Sequence, residues 1–90
     1  MAVVTLRAPL KDLAGGNRNL EIAGDTVGDV LRTLESTWPK TTGWILDEHG
    51  AVRRHVNVFV NTEHMRDRDG LDSTLVAGDI LTILPAVSGG

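Results

Sequence analysis

The chain has 90 residues, of which 41% are hydrophobic and 23% charged, and its formal net charge at pH 7 is −3. This length suits one domain with one core, and the negative charge argues against nucleic acid as a partner, because nucleic-acid-binding proteins need a basic face. No apolar stretch reaches the ~20 residues that span a bilayer, and residues 1–7 lack the features of a signal peptide. The absence of cysteine excludes disulfides, thiolate nucleophiles and cysteine-bound metals. We therefore expect a cytoplasmic protein that binds neither nucleic acid nor a membrane.

The first quarter of the chain predicts two strands joined by a loop. Residues 3–7 are rich in β-branched side chains and are followed by Pro9, which cannot donate a hydrogen bond to a sheet. Residues 11–17 include Gly15 and Gly16 and predict the loop. Residues 19–23 alternate between polar and apolar, as a half-buried strand does. Together these features predict a hairpin with a loose connection.

A helix is predicted next. Thr26 is a good N-cap, and Asp29 follows three residues later, in a pattern close to a capping box. Pro39 ends the helix at or before Trp38. Gly28 weakens the helix by about 1 kcal/mol relative to alanine, but its small size would let the helix lie close against a strand. The apolar positions form one continuous stripe, made of Val27, Val30, Leu31, Leu34 and Trp38.

The rest of the chain predicts a second group of strands. Residues 56–61 form the clearest strand, with three valines on one face and Asn57, Phe59 and Asn61 on the other. The shorter predicted elements are a helical turn at 43–47, a strand at 64–66, a helical turn at 71–75, a tight turn at 77–79 and a last strand at 80–84, stopped by Pro85.

This order of elements predicts an α+β fold. One helix lies across one face of a mixed sheet, with its apolar stripe against the valines of residues 56–61. The first and last strands pair in parallel at the centre of the sheet, which is the β-grasp (ubiquitin-like) arrangement. We expect residues 1–85 to form this domain and residues 86–90 to form a flexible C-terminal tail.

The last two residues of the tail, Gly89 and Gly90, predict a reactive terminus. A carboxylate carried by residues without Cβ atoms is the least hindered acyl group that a protein can offer. Two terminal glycines also occur by chance in about one chain in 200 at average glycine usage, so a frayed end is the alternative explanation.

A candidate docking surface lies beside the root of this tail. If Leu81 and Ile83 face the core, then Ile80 and Leu84 face outwards on the last strand, and Phe59 faces outwards on its neighbour. Together with two tail residues, this surface comprises Phe59, Ile80, Leu84, Val87 and Ser88. The alternative is a set of unrelated exposed hydrophobic residues, which are common on protein surfaces.

Other residue patterns predict no independent active site. The spacing of His49, His55 and His64 matches no metal-ligand pattern, and no serine lies in a nucleophile-elbow motif. The alternating charges of residues 66–69 indicate a solvated loop, although Arg53, Arg54 or Arg66 could meet an acidic partner. Trp38 and Trp44 are predicted to pack beneath the helix.

Several stretches of the chain resemble the ubiquitin-like sulfur carriers of the ThiS/MoaD family. These stretches are residues 24–28, the Arg-His-Val-Asn-Val-Phe-Val-Asn run at 54–61, Gly78-Asp79, and residues 82–90 with their Gly-Gly end. The similarity extends from end to end and is strongest to the actinobacterial cysteine-biosynthesis carriers. The final nine residues are its most specific part.

The resemblance implies a chemistry for the tail. An E1-like adenylating enzyme activates the Gly90 carboxylate with ATP, and a sulfur donor displaces AMP to give a thiocarboxylate. A sulfur-accepting synthase then takes the sulfide, for cysteine, a thiosugar or another metabolite. Gly89 is the other half of the Gly-Gly pair. The chain would be a monomeric protein co-substrate that binds no cofactor itself and is not an enzyme.

Three other functions remain open on the sequence. The chain could be the small non-catalytic subunit of a molybdopterin synthase, or a ubiquitin-like modifier conjugated through Gly90 to lysine amines. It could also be an interaction module whose tail has no role. The first two share activation of the carboxylate with the sulfur carriers and differ in what then attacks it.

Overall fold

The computed structural model describes residues 1–85. The predicted tail, residues 86–90, lies outside this range. The strands of residues 1–85 are β1 (Ala2–Thr5), β2 (Asn19–Ile22), β3 (Val56–Val60), β4 (Glu63–His64) and β5 (Ile80–Pro85). The α-helices are α1 (Leu10–Leu13) and α2 (Val27–Thr37), and 3₁₀ turns lie at Pro39–Thr41, Met65–Asp67 and Gly70–Asp72. Of the helices in residues 1–85, none combines the length and the apolar character needed to span a bilayer.

The five strands form one mixed sheet in the order β2-β1-β5-β3-β4. β1 and β5 are parallel, with Val3 opposite Ile80 and Thr5 opposite Thr82, and all other neighbours are antiparallel. Parallel neighbours cannot be joined by a tight turn, and here the connection from β1 to β5 contains the helix α2. The predicted β-grasp fold, with first and last strands paired near the centre, is confirmed.

The main helix begins where its cap predicts. The hydroxyl of Thr26 accepts a hydrogen bond from the Asp29 backbone N–H at 3.2 Å, which satisfies one of the free N–H groups of the first turn. At the other end, the Trp38 N–H donates to the Leu34 carbonyl at 2.8 Å, and Pro39 follows as the first residue of a 3₁₀ turn. Proline stops the helix because it has no N–H and disfavours helical backbone before it.

The core lies between α2 and one face of the sheet. The apolar stripe of α2 is buried from Val27 to Leu34, and β3 alternates buried valines with half-buried residues. The largest side chains with less than 2% exposure include Leu6, Leu10, Leu31, Leu34, Ile45, Leu81 and Ile83. The prediction that the helix stripe and the β3 valines share one core is therefore confirmed.

Two short segments differ from their predictions. Residues 11–17, predicted to be a loop, begin inside helix α1, which buries Leu10 and the following Ala14. The spacing of Leu10, Leu13 and Ala14 is typical of a helix, but Gly15 and Gly16 led to the prediction of a loop. Residues 43–47 are not helical. The short helical turn lies earlier, at Pro39–Thr41, where a proline fits the first helical position.

The region after β3 also differs in detail. The predicted strand at 64–66 is β4, which covers Glu63–His64 and gives way to a 3₁₀ turn at the buried Met65. Gly28 does not face a strand. A Cβ atom there would lie 3.2 Å from the Leu71 carbonyl oxygen, so the glycine brings α2 against the third 3₁₀ turn. β5 includes Pro85 rather than ending before it.

The two tryptophans have different environments. Trp38 is half-buried, and a Cβ atom added to Gly15 would lie 2.8 Å from its ring, so helix α2 ends against the turn after α1. Trp44 is 45% exposed, and the prediction that it packs beneath the helix is wrong. Gly43, at φ 87°, and Trp44 lie in a turn that buries the next two residues, Ile45 and Leu46, instead.

Truncation of Leu34 tests the position of the core. Leu34→Ala should lower the free energy of unfolding by about 2–5 kcal/mol, because it removes buried methyl groups and leaves a cavity beneath α2. Urea denaturation measures this loss. Thr33→Ala, one residue earlier on the exposed side of the same helix, is the control and should change stability by less than about 1 kcal/mol. Equal losses in the two variants would mean that the helix buries a different face.

Candidate docking surface

The outer face of the sheet, opposite α2, brings together the three described residues of the predicted docking surface. Phe59 lies opposite Thr82, two positions from both Ile80 and Leu84 along β5. Diagonal neighbours of this kind are about 7–8 Å apart, within reach of an aromatic ring. Phe59 is therefore positioned within reach of both Ile80 and Leu84, and we call Phe59, Ile80 and Leu84 the apolar patch.

The patch is accessible to different degrees along its length. Ile80 is 45% exposed, whereas Phe59 and Leu84 are half-buried. The intervening Leu81 and Ile83 are buried in the core, so the alternation predicted for β5 is present. The two other residues of the predicted surface, Val87 and Ser88, lie outside the described residues, as do Gly89 and Gly90. The docking role of the patch stays a prediction.

Val3 extends the patch onto β1, which the sequence reasoning missed. It lies directly opposite Ile80 in the parallel pair and is half-buried on the same face. Its position depends on the register of β1 against β5, which joins residues far apart in the chain. The signal that could have found it is the alternation of Ala2, Val3 and Val4, in which the first and last are buried.

The ring of Phe59 is held by His64 on the neighbouring strand. The two rings meet edge to face, with centroids 5.1 Å apart and planes at 72°. His64 Nδ1 accepts a hydrogen bond from the Arg66 backbone N–H at 3.1 Å, which leaves Nε2 to donate to Asn57 Oδ1 at 3.1 Å. His64 is thus a structural residue that orients the patch.

The histidines are not gathered into one site. His49 and His55 are exposed, and His64 is committed to the contacts beneath Phe59. Within the described part of the chain, no three histidine, aspartate or glutamate side chains are grouped to hold a metal ion.

A polar clamp fixes the start of β5 and with it Ile80. Asn61, in the turn after β3, has a left-handed backbone at φ 56°, a conformation that asparagine tolerates better than most residues. Its N–H donates to the Ile80 carbonyl at 2.7 Å, and its Oδ1 accepts from the Ile80 N–H at 3.0 Å. The side chain of Asn61 therefore acts as an additional rung between β3 and β5.

Asp79 completes this clamp. Its carboxylate accepts hydrogen bonds from the Val76 backbone N–H at 2.9 Å and from Asn61 Nδ2 at 3.1 Å. These two bonds, the first more than the second, hold the pKa of Asp79 below its ordinary value of 3.8, because they stabilise the ionised form. The clamp joins two turns 18 residues apart, a pairing that no local sequence signal reveals.

The family is decided by comparison with known proteins. The model of the ThiS family matches residues 4–90. The chain belongs to the ThiS family. It is 37% identical, over an alignment of 91 residues, to the sulfur carrier protein CysO of Mycobacterium tuberculosis, with 97% of this chain and 98% of that protein covered. It is also 40% identical to small archaeal modifier protein 3 of Haloferax volcanii over 65 residues, which cover 72% of this chain and 70% of that protein.

Solved structures agree with the sequence comparison. The crystal structure of Mycobacterium tuberculosis CysO superimposes with a TM-score of 0.88 at 34% identity, covering 97% of this ThiS-family chain and all of that one. A chain of the Amycolatopsis orientalis BexX/CysO complex superimposes with a TM-score of 0.90 at 34% identity, and both chains are covered completely. The resemblance to the ubiquitin-like sulfur carriers and the β-grasp fold are thereby confirmed.

The clamp at Asp79 predicts a pH-dependent contribution to stability. Because folding lowers the pKa of this carboxyl group, its contribution is present above the ordinary value of 3.8 and is lost as the pH falls through the lowered pKa. Asp79→Ala should therefore be less stable than the wild type at pH 7, and the difference should shrink on acidification below pH 3.8. Urea unfolding across this pH range measures it.

The difference in stability between the wild type and Asp79→Ala separates the clamp from general acid effects. The pKa values of Asp29 and Asp47 are lowered too, the first mainly by the Arg32 side chain and the second mainly by the Ala51 backbone N–H. Both carboxylates remain in Asp79→Ala, so their share of the acid sensitivity cancels in the difference. A stability gap that stays constant with pH would contradict the assignment to the ionised carboxylate.

Proposed function

We propose that the chain is a sulfur carrier whose Gly90 carboxylate is converted to a thiocarboxylate. The observation that carries this proposal is the family match, which runs through Gly90, together with 37% identity over nearly the full length to a protein named sulfur carrier protein. The fold supports it, since the central strand β5 leads directly into residues 86–90. We further propose that residues 1–85 act as the docking body and residues 86–90 as the reactive tail.

The reaction proceeds in two steps at one carbon atom. A free carboxylate is anionic and resonance-stabilised, so it resists nucleophiles. In the first step a carboxylate oxygen attacks the α-phosphorus of ATP, which releases pyrophosphate and leaves an acyl-adenylate. In the second, a sulfide or persulfide sulfur attacks the carbonyl carbon and AMP leaves with the former carboxylate oxygen; a persulfide donor also requires a thiol to cleave its S–S bond. The product is the thiocarboxylate of Gly90.

Both steps belong to a partner enzyme, and the chain supplies the substrate group. Five residues after Pro85 reach at most about 17 Å when extended, so the carboxyl group can enter a narrow pocket while the body stays outside. Glycine at the last two positions leaves the attacked carbon unshielded. Under this proposal the chain is a protein co-substrate, its partners are an E1-like adenylating enzyme and a sulfur-accepting synthase, and ATP binds to the enzyme.

Docking of the body must offset the cost of ordering the tail. Each residue that becomes fixed loses conformational entropy worth about 1–2 kcal/mol. The apolar patch spans β3 and β5, Leu84 lies two residues before the tail, and the half-buried Phe59 is already held in place by the sheet and by His64. We propose that Phe59, Ile80 and Leu84, with Val87 and Ser88, bind the partner enzymes.

A second candidate function is protein modification. It is favoured by the 40% identity to small archaeal modifier protein 3, whose name describes a modifier. The same acyl-adenylate would form, and a lysine amine of another protein would then become bonded to the Gly90 carbonyl. The two functions are separated by the product, a thiocarboxylate in one case and an isopeptide in the other.

Mass measurement of the intact chain tests the proposal. Incubation of the purified protein with an E1-like enzyme, ATP and sulfide should add about 16 Da, because one oxygen atom of the terminal carboxyl group is replaced by sulfur. A chain with one alanine added after Gly90 is the control and should gain nothing, since its carboxyl group is displaced from the reacting position. Gly90→Ala should fold normally and react more slowly.

The outcomes of this measurement distinguish the candidate functions. Adducts on lysine residues of other proteins, without the gain in mass, would favour the modifier. Sulfur transfer that continues after deletion of Gly89 and Gly90 would contradict both candidates.

Truncation of Phe59 tests the apolar patch. Phe59→Ala should raise the KM for the adenylating enzyme about tenfold or more with little change in kcat, because it removes binding area distant from the reacting carbon. Val76→Ala is a suitable control, since Val76 is 68% exposed in the turn before β5 and is not part of the patch, and it should leave KM unchanged. Thermal unfolding must show that Phe59→Ala stays folded. An unchanged KM in a folded variant would exclude the patch as a docking surface.

A further inference from the structure

Several basic side chains lie at the end of the sheet from which the tail leaves, although Asp12 on α1 and Asp67 beside Arg66 lie near them. We call this end, marked by Pro85 and its sheet neighbours, the exit end. β1 is parallel to β5, so the residues that follow Thr5 lie at the exit end. β3 is antiparallel to β5 and its first residue, Val56, pairs with Pro85, so the residues that precede Val56 lie there as well.

One flank of the exit end is a cleft lined by three cations. The cleft has a volume of about 370 Å³ and is formed by Leu6, Arg7, Ala8, Lys11 and Arg18. Its backbone is fixed by two hydrogen bonds, from the Leu6 N–H to the Arg18 carbonyl at 2.7 Å and from the Lys11 N–H to the Arg7 carbonyl at 3.0 Å. Among residues 1–85, no carboxylate lines this cleft.

The opposite flank is basic too. Arg54 and His55 are exposed immediately before Val56, and Arg66 lies next to them, with its Nη2 3.5 Å from the Arg54 carbonyl oxygen. The root of the tail is therefore bracketed by arginines on both sides. No local feature of the sequence shows this arrangement, because Arg7, Arg18 and Arg54 are brought to one end only by the strand pairing.

Carboxylates gather at the other end of the sheet. Asp79 immediately precedes β5, Glu21 pairs with Val3, and Glu63 pairs with Val60. The carbonyl of Asp25 accepts a hydrogen bond from Leu75, which places it near the same end. A chain with a formal charge of −3 thus places four arginines and a lysine around the point where its tail begins.

We propose that the exit end docks on an acidic protein surface that surrounds the opening of the activating enzyme's tail channel. This inference rests on the proposed function. The proposed target is the protein surface of the enzyme rather than the nucleotide, because the reacting carboxyl group is at the far end of a tail that can extend up to about 17 Å, whereas the cations lie at its root. The cations instead meet the rim of the channel, where opposite charge steers the approach and orients the tail towards the opening.

Charge reversal at the exit end tests this inference with the enzyme that produces the thiocarboxylate. Arg7→Glu and Arg18→Glu should each lower kcat/KM at low salt by about tenfold, with kcat at saturation little changed. Arg32→Glu is the matched control, because it changes the net charge equally on α2, where Arg32 pairs with Asp29 at 2.9 Å. It should lower kcat/KM by less than about threefold. Lys11→Gln, a milder change in the same cleft, should act in the same direction.

Salt dependence provides a second measurement on the same proteins. The wild-type kcat/KM should fall as sodium chloride rises, and the double variant Arg7→Glu/Arg18→Glu should show a flatter dependence. Equal effects of Arg18→Glu and Arg32→Glu would overturn the inference. So would stronger inhibition of the wild type by inorganic phosphate than by sodium chloride at equal ionic strength, which would indicate a small-anion site. If the wild-type chain never gains sulfur, it is the proposed function that fails.

Discussion

Hydrogen bonding of β5 to β1 on one side and to β3 on the other is the constraint on which the structure depends. It joins the start of the chain to its last described strand, so every element between them must form a connection that begins and ends at the same sheet. The parallel pair sets Val3 against Ile80, and the antiparallel pair sets Val56 against Pro85. The core, the outer face and the exit end all follow from these two registers.

The helix α2 forms part of the crossover connection that the parallel pairing of β1 and β5 requires. A parallel connection needs a crossover, and an amphipathic helix supplies one while covering an apolar sheet face. Its stripe is buried from Val27 to Leu34, and its ends are defined by Thr26 and Pro39. The helix covers one face of the sheet in this way. The other face carries a mixture of polar and apolar side chains that includes the apolar patch, in which Leu84 lies two residues before the tail.

Much of this fold could be predicted because its main signals are local. The Thr26 cap, the proline at 39 and the alternation of residues 56–60 each act over a few residues, and each predicted its element. Local signals failed where tertiary packing decided between similar options. Trp44 is a large apolar residue and was predicted to pack beneath the helix, yet the turn at Gly43 places Ile45 and Leu46 in the core instead.

In the candidate site, too, the features set by local signals could be predicted and those set by strand pairing could not. Alternation along β5 was enough to place Ile80 and Leu84 on the outer face. The contacts that support them could not be predicted, because the Asn61–Asp79 bond spans 18 residues and the His64 ring reaches Phe59 only across a strand pair. The basic exit end is a third case. Arg7, Arg18 and Arg54 have no proximity in the sequence, and their common location is a product of strand register alone.

The central place of β5 has a mechanical consequence. A pull on the carboxyl end, directed along the strand, is resisted by the ladders to β1 and β3 together, so the bonds on both sides share the load and must break nearly at once. An edge strand would peel away one bond at a time. Tension on the carboxyl end of β5 is therefore less able to unravel this fold than the same tension on an edge strand.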